Sequence, residues 1–362
     1  MKKGEVLNRM FVFFVVVTTV AFLIVGNNAF GSTIKKSHSE LGMNQYFDHV
    51  HFIVKDLDKA METYEKLLGV KPSDKGGFIR DFPLGRIGML PIPGAIPGFR
   101  LEMLEIGPSV QQEDNRISRF LKKRSEGVGG LSIFVEDFDG VVEDLRKKGV
   151  AVEIETATVV DPKYPFRIGW VEPEEAHGAW IELVDSLAVP PFEKDWDLEF
   201  RGNTSLYFDH IHFIVKDVDE TTKTYEKLLG LKPEVKGSLK SDRPGFRMRM
   251  LPIRGSRIEM LEVGTEPDMA NRISFRMSQF LRDHGEGVGG LSIFVDDFDG
   301  VVRDLREKGF AVEVNEPKVG GFDPKYPFRT AWVEAEEAHG VWIEYVDAKA
   351  VPPYERDWWR LD

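Results

Sequence analysis

FDHVHFIVKDLDKAMETYEKLLG, running from Phe47 to Gly69, decides the fold, because it is written again as FDHIHFIVKDVDETTKTYEKLLG from Phe208 to Gly230. Residues 49–54 are β-branched and aromatic, the pattern of a strand. Asp56 and Asp58 follow where a helix N-cap belongs. Leu57, Ala60, Met61, Tyr64, Leu67 and Leu68 then recur at helical spacing until Gly69 ends the run. Three further blocks return in the same order and at nearly the same spacing. GVGGLSIFVEDFDGVV at Gly127 reappears at Gly287 with a single Glu-to-Asp change, DPKYPFR at Asp161 reappears at Asp323, and EEAHGAWIE at Glu174 reappears as EEAHGVWIE at Glu336. Self-similarity over this length is a tandem duplication of one domain.

A copy has its own inner rhythm. Residues 86–92 and 99–106 read as strands, with a short one near Phe78. The order then restarts. Residues 131–135 form a strand, and 137–148 a helix closed by Gly149. Residues 151–154, 166–172 and 179–185 supply three more strands. Each copy is therefore two β-α-β-β-β units of an α+β protein, with domains expected over 46–197 and 207–358, joined by a polar linker at 198–206.

At 362 residues and 42% hydrophobic, the chain can bury two cores. Its net charge of −12 is spread along the chain, which argues against a nucleic-acid partner. There is no cysteine, so disulfides, thiolate nucleophiles and cysteine-bound metals are excluded. Lys2, Lys3 and Arg9 precede an uncharged run over residues 10–25, and Ala29 and Gly31 then stand where a signal peptidase reads. Residues 1–31 are thus expected to be a cleaved secretory signal or an uncleaved membrane anchor, followed by a linker over 32–45. Either makes the protein exported, to the periplasm or the cell exterior, or membrane-attached.

The repeated opening motif, the β-α-β-β-β unit and the GAWIEL closing strand resemble the vicinal oxygen chelate superfamily. That group includes glyoxalase I, methylmalonyl-CoA epimerase, extradiol dioxygenases and bleomycin-resistance proteins, and the AHGVWIE closing is most similar to the glyoxalase and epimerase branches. The resemblance implies two units curled as a mixed sheet around a cleft, helices outside, with metal ligands on the first and last strands. Carried over residue by residue, it implies His49 and His210 on the first strands, Glu102 and Glu259 closing the first units, and Glu182 and Glu344 on the last strands. It departs at Gly130 and Gly290, where members of the family carry a further His.

His51 and His212 offer a replacement. Strand side chains alternate, so residues two apart share a face about 7 Å apart along the backbone. The expected metal sites are His49, His51, Glu102 and Glu182, and His210, His212, Glu259 and Glu344. Such mixed imidazole and carboxylate ligands suit zinc, manganese, iron, cobalt or nickel. Trp180 and Trp342, two residues before the last-strand Glu, are turned towards the same cleft. Arg167 and Arg329 in YPFR are candidates to hold a substrate carboxylate or phosphate, or to form structural salt bridges. His177 and His339 read as turn elements. Whether a cleft forms within a copy, between copies or in a homodimer stays open.

The resemblance implies a metal-dependent lyase or isomerase of a small oxygenated substrate, with Glu182 and Glu344 moving the proton. The competing reading is a metal-free small-molecule sequestering protein, which the missing fourth ligand favours. Extradiol dioxygenase chemistry ranks below both, because the second-unit His it relies on is the one replaced by glycine.

Overall fold

The computed structural model describes residues 45–74, 77–82, 85–92, 99–111, 114–157, 165–189, 206–232, 238–243, 245–264, 272–316 and 328–352. The N-terminal segment 1–31 and most of both expected linkers lie outside them. No helix among the described residues is long and apolar enough to cross a membrane.

Copy one runs β1 (Gln45–Val54), α1 (Leu57–Leu68), β2 (Phe78–Phe82), β3 (Gly85–Ile92), β4 (Phe99–Ile106), α2 (Arg116–Arg124), β5 (Gly127–Val135), α3 (Phe138–Lys147), β6 (Glu153–Ala157), β7 (Phe166–Val171) and β8 (Trp180–Asp185). Copy two repeats it as β9 (Leu206–Val215), α4 (Val218–Leu229), β10 (Leu239–Arg243), β11 (Phe246–Ile253), β12 (Ser256–Val263), α5 (Arg272–His284), β13 (Gly287–Val295), α6 (Phe298–Glu307), β14 (Val312–Asn315), β15 (Thr330–Val333) and β16 (Trp342–Asp347). Each copy makes one curled, open eight-stranded sheet, ordered β2-β3-β4-β1-β5-β8-β7-β6 in the first and identically in the second. The two units of a copy meet along β1 and β5, which pair antiparallel, while β1–β4 and β5–β8 pair parallel. The cleft is therefore built inside each copy.

Local chemistry explains the elements. Asp56 caps α1 by accepting from the Lys59 amide, and Gly69 closes it at φ 70, a conformation favouring glycine. The apolar face read from the sequence is the buried face of α1. The strand expected at 151–154 begins two residues later, at Glu153. Helices α2 and α5, between the units, have no counterpart in the sequence reading. Phe120 of α2 packs edge-on against Trp180, and Phe280 of α5 against Trp342.

The copies are not beads on a string. One apolar core runs through both, and Phe99 stacks on Phe208 with ring centroids 3.6 Å apart. Polar links cross the seam in matched pairs. Tyr64 donates to the Ala338 carbonyl and Tyr225 to that of Ala176. His177 lies 3.3 Å from Glu286 and 3.1 Å from the Thr224 hydroxyl, and His339 lies 3.3 Å from both Glu126 and Thr63. Arg124 is held between the Phe120 and Phe280 rings and donates to the Glu286 carbonyl.

Candidate metal centre

Strand register lays the site out as two rungs on one face of each sheet. Across β4, β1, β5 and β8, one rung reads Glu102, His51, Gly130, Trp180, and the next Arg100, His49, Ser132, Glu182. Copy two repeats both, as Glu259, His212, Gly290, Trp342 and Arg257, His210, Ser292, Glu344. All eight expected ligands thus face their own copy's cleft, four to each. The i, i+2 spacing holds: His49 and His51 stack with centroids 5.1 Å apart, and His210 and His212 at 5.0 Å.

Gly130 is directly opposite His51, and Gly290 opposite His212. A Cβ added at Gly130 would lie 2.0 Å from the Trp180 indole nitrogen, and one at Gly290 1.9 Å from that of Trp342. The space a side chain would need at Gly130 and Gly290 is filled by an indole, and the imidazole opposite it comes from the neighbouring strand, at His51 and His212.

A bulge supplies the next layer. The β1–β5 register slips between Phe47 and His49, so Asp48 is the extra residue and its side chain is free to turn beside His49. Asp48 accepts from His49 Nδ1 at 2.7 Å and from Arg100, and Asp209 does the same for His210 and Arg257. Burial pushes the Asp48 carboxyl up, but Arg100 and His49 outweigh it and hold it below the usual range. Against the same burial, Arg257 and His210 hold Asp209 at about 2. Burial raises Glu182 too, and the imidazoles of His51 and His49 overcome it, so the carboxylate form is favoured.

The matched first histidines differ in direction. Burial lowers His49 and wins against Asp48. Burial also lowers His210, but Glu259 and Asp209 lift it to about 10. The copy-two pocket is slightly more open, with Glu259 at 12% side-chain exposure against 0% for Glu102.

These residues fit a divalent ion. His49 Nε2 is buried and makes no hydrogen bond, while Glu102 and Glu182 oxygens stand 3.5 and 3.6 Å from it. His51 Nε2 is 3.1 Å from the same Glu182 oxygen. In copy two His210 Nε2 is 3.4 Å from Glu259 and 3.8 Å from Glu344, and His212 Nε2 is 3.2 Å from Glu344. Donor atoms each ~2.1 Å from one ion sit about this far apart. His49, His51 and Glu102, and likewise His210, His212 and Glu259, have donor atoms within 4.8 Å of one another. Buried acids also call for a counter-charge.

Arg167 and Arg329 are not brought into the cluster. Arg167 pairs with Asp185 and Asp139 and lies over the Phe138 ring of α3, and Arg329 pairs with Asp347 and Asp299 and lies over Phe298 of α6. Alternation along β7 puts Arg167 on the face opposite Trp170, whose ring packs against His51. The salt-bridge alternative is what the structure shows for both. His177 and His339 do sit in turns, at φ 55 and 57, but their rings serve the seam. Asp48 and Asp209 are the site residues missed from sequence.

The sequence pattern of the glyoxalase/bleomycin resistance protein/dioxygenase superfamily matches residues 48–164 and again 209–328. No curated protein matches the chain. Among solved structures, a triple mutant of 4-hydroxymandelate synthase from Streptomyces coelicolor is similar over 83% of this chain and 91% of its own, at 16% identity and a TM-score of 0.53. A variant of methylmalonyl-CoA epimerase from the same organism, in complex with 2-nitronate-propionyl-CoA, is 28% identical, covering 38% of this chain and 94% of its own, with a TM-score of 0.31. Methylmalonyl-CoA epimerase from Mycobacterium tuberculosis is 24% identical over 38% of this chain and 85% of its own, with a TM-score of 0.31.

Proposed function

The chain belongs to the glyoxalase/bleomycin resistance protein/dioxygenase superfamily, and from that premise we propose that each copy holds a divalent metal and acts as a lyase or isomerase on a small oxygenated substrate. The observation that carries this is the buried His49 Nε2, without a hydrogen bond and facing two carboxylate oxygens, in a cluster built twice in one chain. When bound, the ion would act as a Lewis acid, polarising an oxygen next to the reacting carbon. His49, Glu102 and Glu182 would hold it in copy one, and His210, Glu259 and Glu344 in copy two, with His51 and His212 alongside.

The protein's own groups do the rest. Asp48 fixes the His49 ring so that Nε2 faces the cluster. Glu182, favoured as the carboxylate, would take a proton from the substrate carbon and return it; Glu344 would be its counterpart. Trp170, Trp180 and Phe120 wall the site and exclude water. An export signal in residues 1–31 would place this chemistry outside the cytosol, or at a membrane surface if the segment is kept as an anchor.

Metal analysis of the purified full-length chain tests the proposal: one ion per copy is expected, falling sharply in the Glu182→Gln, Glu344→Gln double variant. A chain that is purified metal-free and takes up neither manganese nor zinc on titration would sink it. A sequestering protein would keep its ligand affinity through the same double change.

A further inference from the structure

Resting on that metal-site reading, we infer that the indoles of Trp180 and Trp342 hold His51 and His212 as hydrogen-bond donors, so that each ion is bound by one imidazole and two carboxylates: His49, Glu102 and Glu182, or His210, Glu259 and Glu344. An indole N–H can only donate. That of Trp180 is 2.7 Å from His51 Nδ1, and that of Trp342 is 2.9 Å from His212 Nδ1. Nδ1 must therefore carry the lone pair, and the single proton of the neutral ring sits on Nε2. There Glu182 accepts it at 3.1 Å and Glu344 at 3.2 Å. A nitrogen bearing a proton cannot ligate. Binding through Nε2 would need either that one N–H proton lost, leaving an imidazolate, or the indole turned away.

The indole is not free to turn. Trp180 is 1% exposed, lies on the backbone of Gly129 and Gly130, and meets Phe120 edge-on. His49 is wired in the opposite sense, since its Nδ1 proton goes to Asp48 and Nε2 is left with its lone pair. Two stacked imidazoles on one strand thus have opposite polarity. In copy two, His210 Nε2 stands 3.1 Å from His212 Nε2, so the two rings are stacked there in the same way. A set with one nitrogen and two carboxylates is harder than one with two imidazoles, which moves the preference from zinc towards manganese. It also leaves positions open for substrate oxygens, with the His51 N–H beside them.

Nitrogen NMR of histidine-labelled full-length protein, metal-free and then saturated with zinc, reads the tautomers directly. His51 and His212 should carry the proton on Nε2 in both states, while zinc shifts Nε2 of His49 and His210. In titrations with manganese and zinc, His51→Gln with His212→Gln should change affinity by less than about threefold, whereas His49→Gln with His210→Gln should lower it by about 100-fold or more. Trp180→Phe with Trp342→Phe frees Nδ1 for the proton and should raise zinc affinity by about tenfold, a gain that adding the His51 and His212 changes cancels. A metal-free His51 bearing its proton on Nδ1, a zinc shift at His51 Nε2, or equal loss of metal in the two histidine pairs would overturn the inference. If wild-type protein binds neither ion, the functional proposal and the ligand assignment fail together, and the metal-free tautomers show whether the indole polarity survives.

Discussion

Asp48 shows how one side chain serves both stability and the site. It accepts from His49 and from buried Arg100, so Asp48→Ala removes the carboxylate from a guanidinium that is 1% exposed. Breaking a buried ion pair costs about 3–5 kcal/mol, and loss of the group that orients a ligand lowers metal affinity about 10–100-fold. Urea unfolding and metal titration of this variant should show both effects, with Asp48→Asn intermediate because it keeps an acceptor for His49. The candidate ligands were legible because they follow strand alternation and the family pattern. Asp48 was not, because alternation puts it on the face opposite His49, and only the extra residue in the β1–β5 pairing reverses that. Which of its two readings Arg167 takes was not legible for a related reason: its acidic partners lie 18 and 28 residues away in sequence, where no local pattern reveals them.

Among elements, the strands were readable from their β-branched and aromatic runs, and the helices α1, α3, α4 and α6 because each pairs a clean periodicity with a capping Asp. Helix α2 was not. Arg116 and Arg124 interrupt its apolar face, and both are explained by tertiary partners: Arg116 lies over Trp170 and pairs with Glu172, and Arg124 is held by two Phe rings. The glycine pair in β5 is the sharpest element-scale test. Gly130→Ala puts a methyl group onto the Trp180 indole, which cannot yield without losing its bond to His51. Overpacking of this kind costs about 1–3 kcal/mol. Gly130→Ala and Gly290→Ala should each lower the melting temperature and shift tryptophan fluorescence, while alanine at Gly149, whose Cβ meets nothing within 4 Å, should leave the fluorescence unchanged.

For the whole molecule, the continuous core predicts that both copies unfold together. Phe208→Ala removes one partner of the Phe99 stack and should cost about 3–5 kcal/mol, lowering a single calorimetric transition rather than splitting it. Acid should act on the seam. Burial raises Glu126 and Glu286, but the His339 and His177 rings and the backbone N–H of Lys55 and Lys216 outweigh it, so both carboxyls sit below their ordinary 4.5. A carboxyl depressed in the folded state stabilises fully above its unfolded value, and that contribution is lost as the pH falls through the folded one. Glu126→Gln with Glu286→Gln should therefore lie well below wild type in urea unfolding at pH 7, with the gap narrowing near pH 3. An unchanged gap would place the acid sensitivity elsewhere.

The crossed histidines also bear on ancestry. Glu126 answers His339 as Glu286 answers His177, the reciprocity that two identical molecules show when they meet across a twofold axis. One half alone would leave those turns without their partners, so the chain is arranged as a pair of matched halves that complete each other. Each half can now change without its neighbour changing, as Arg124 against His284 at the matched position shows.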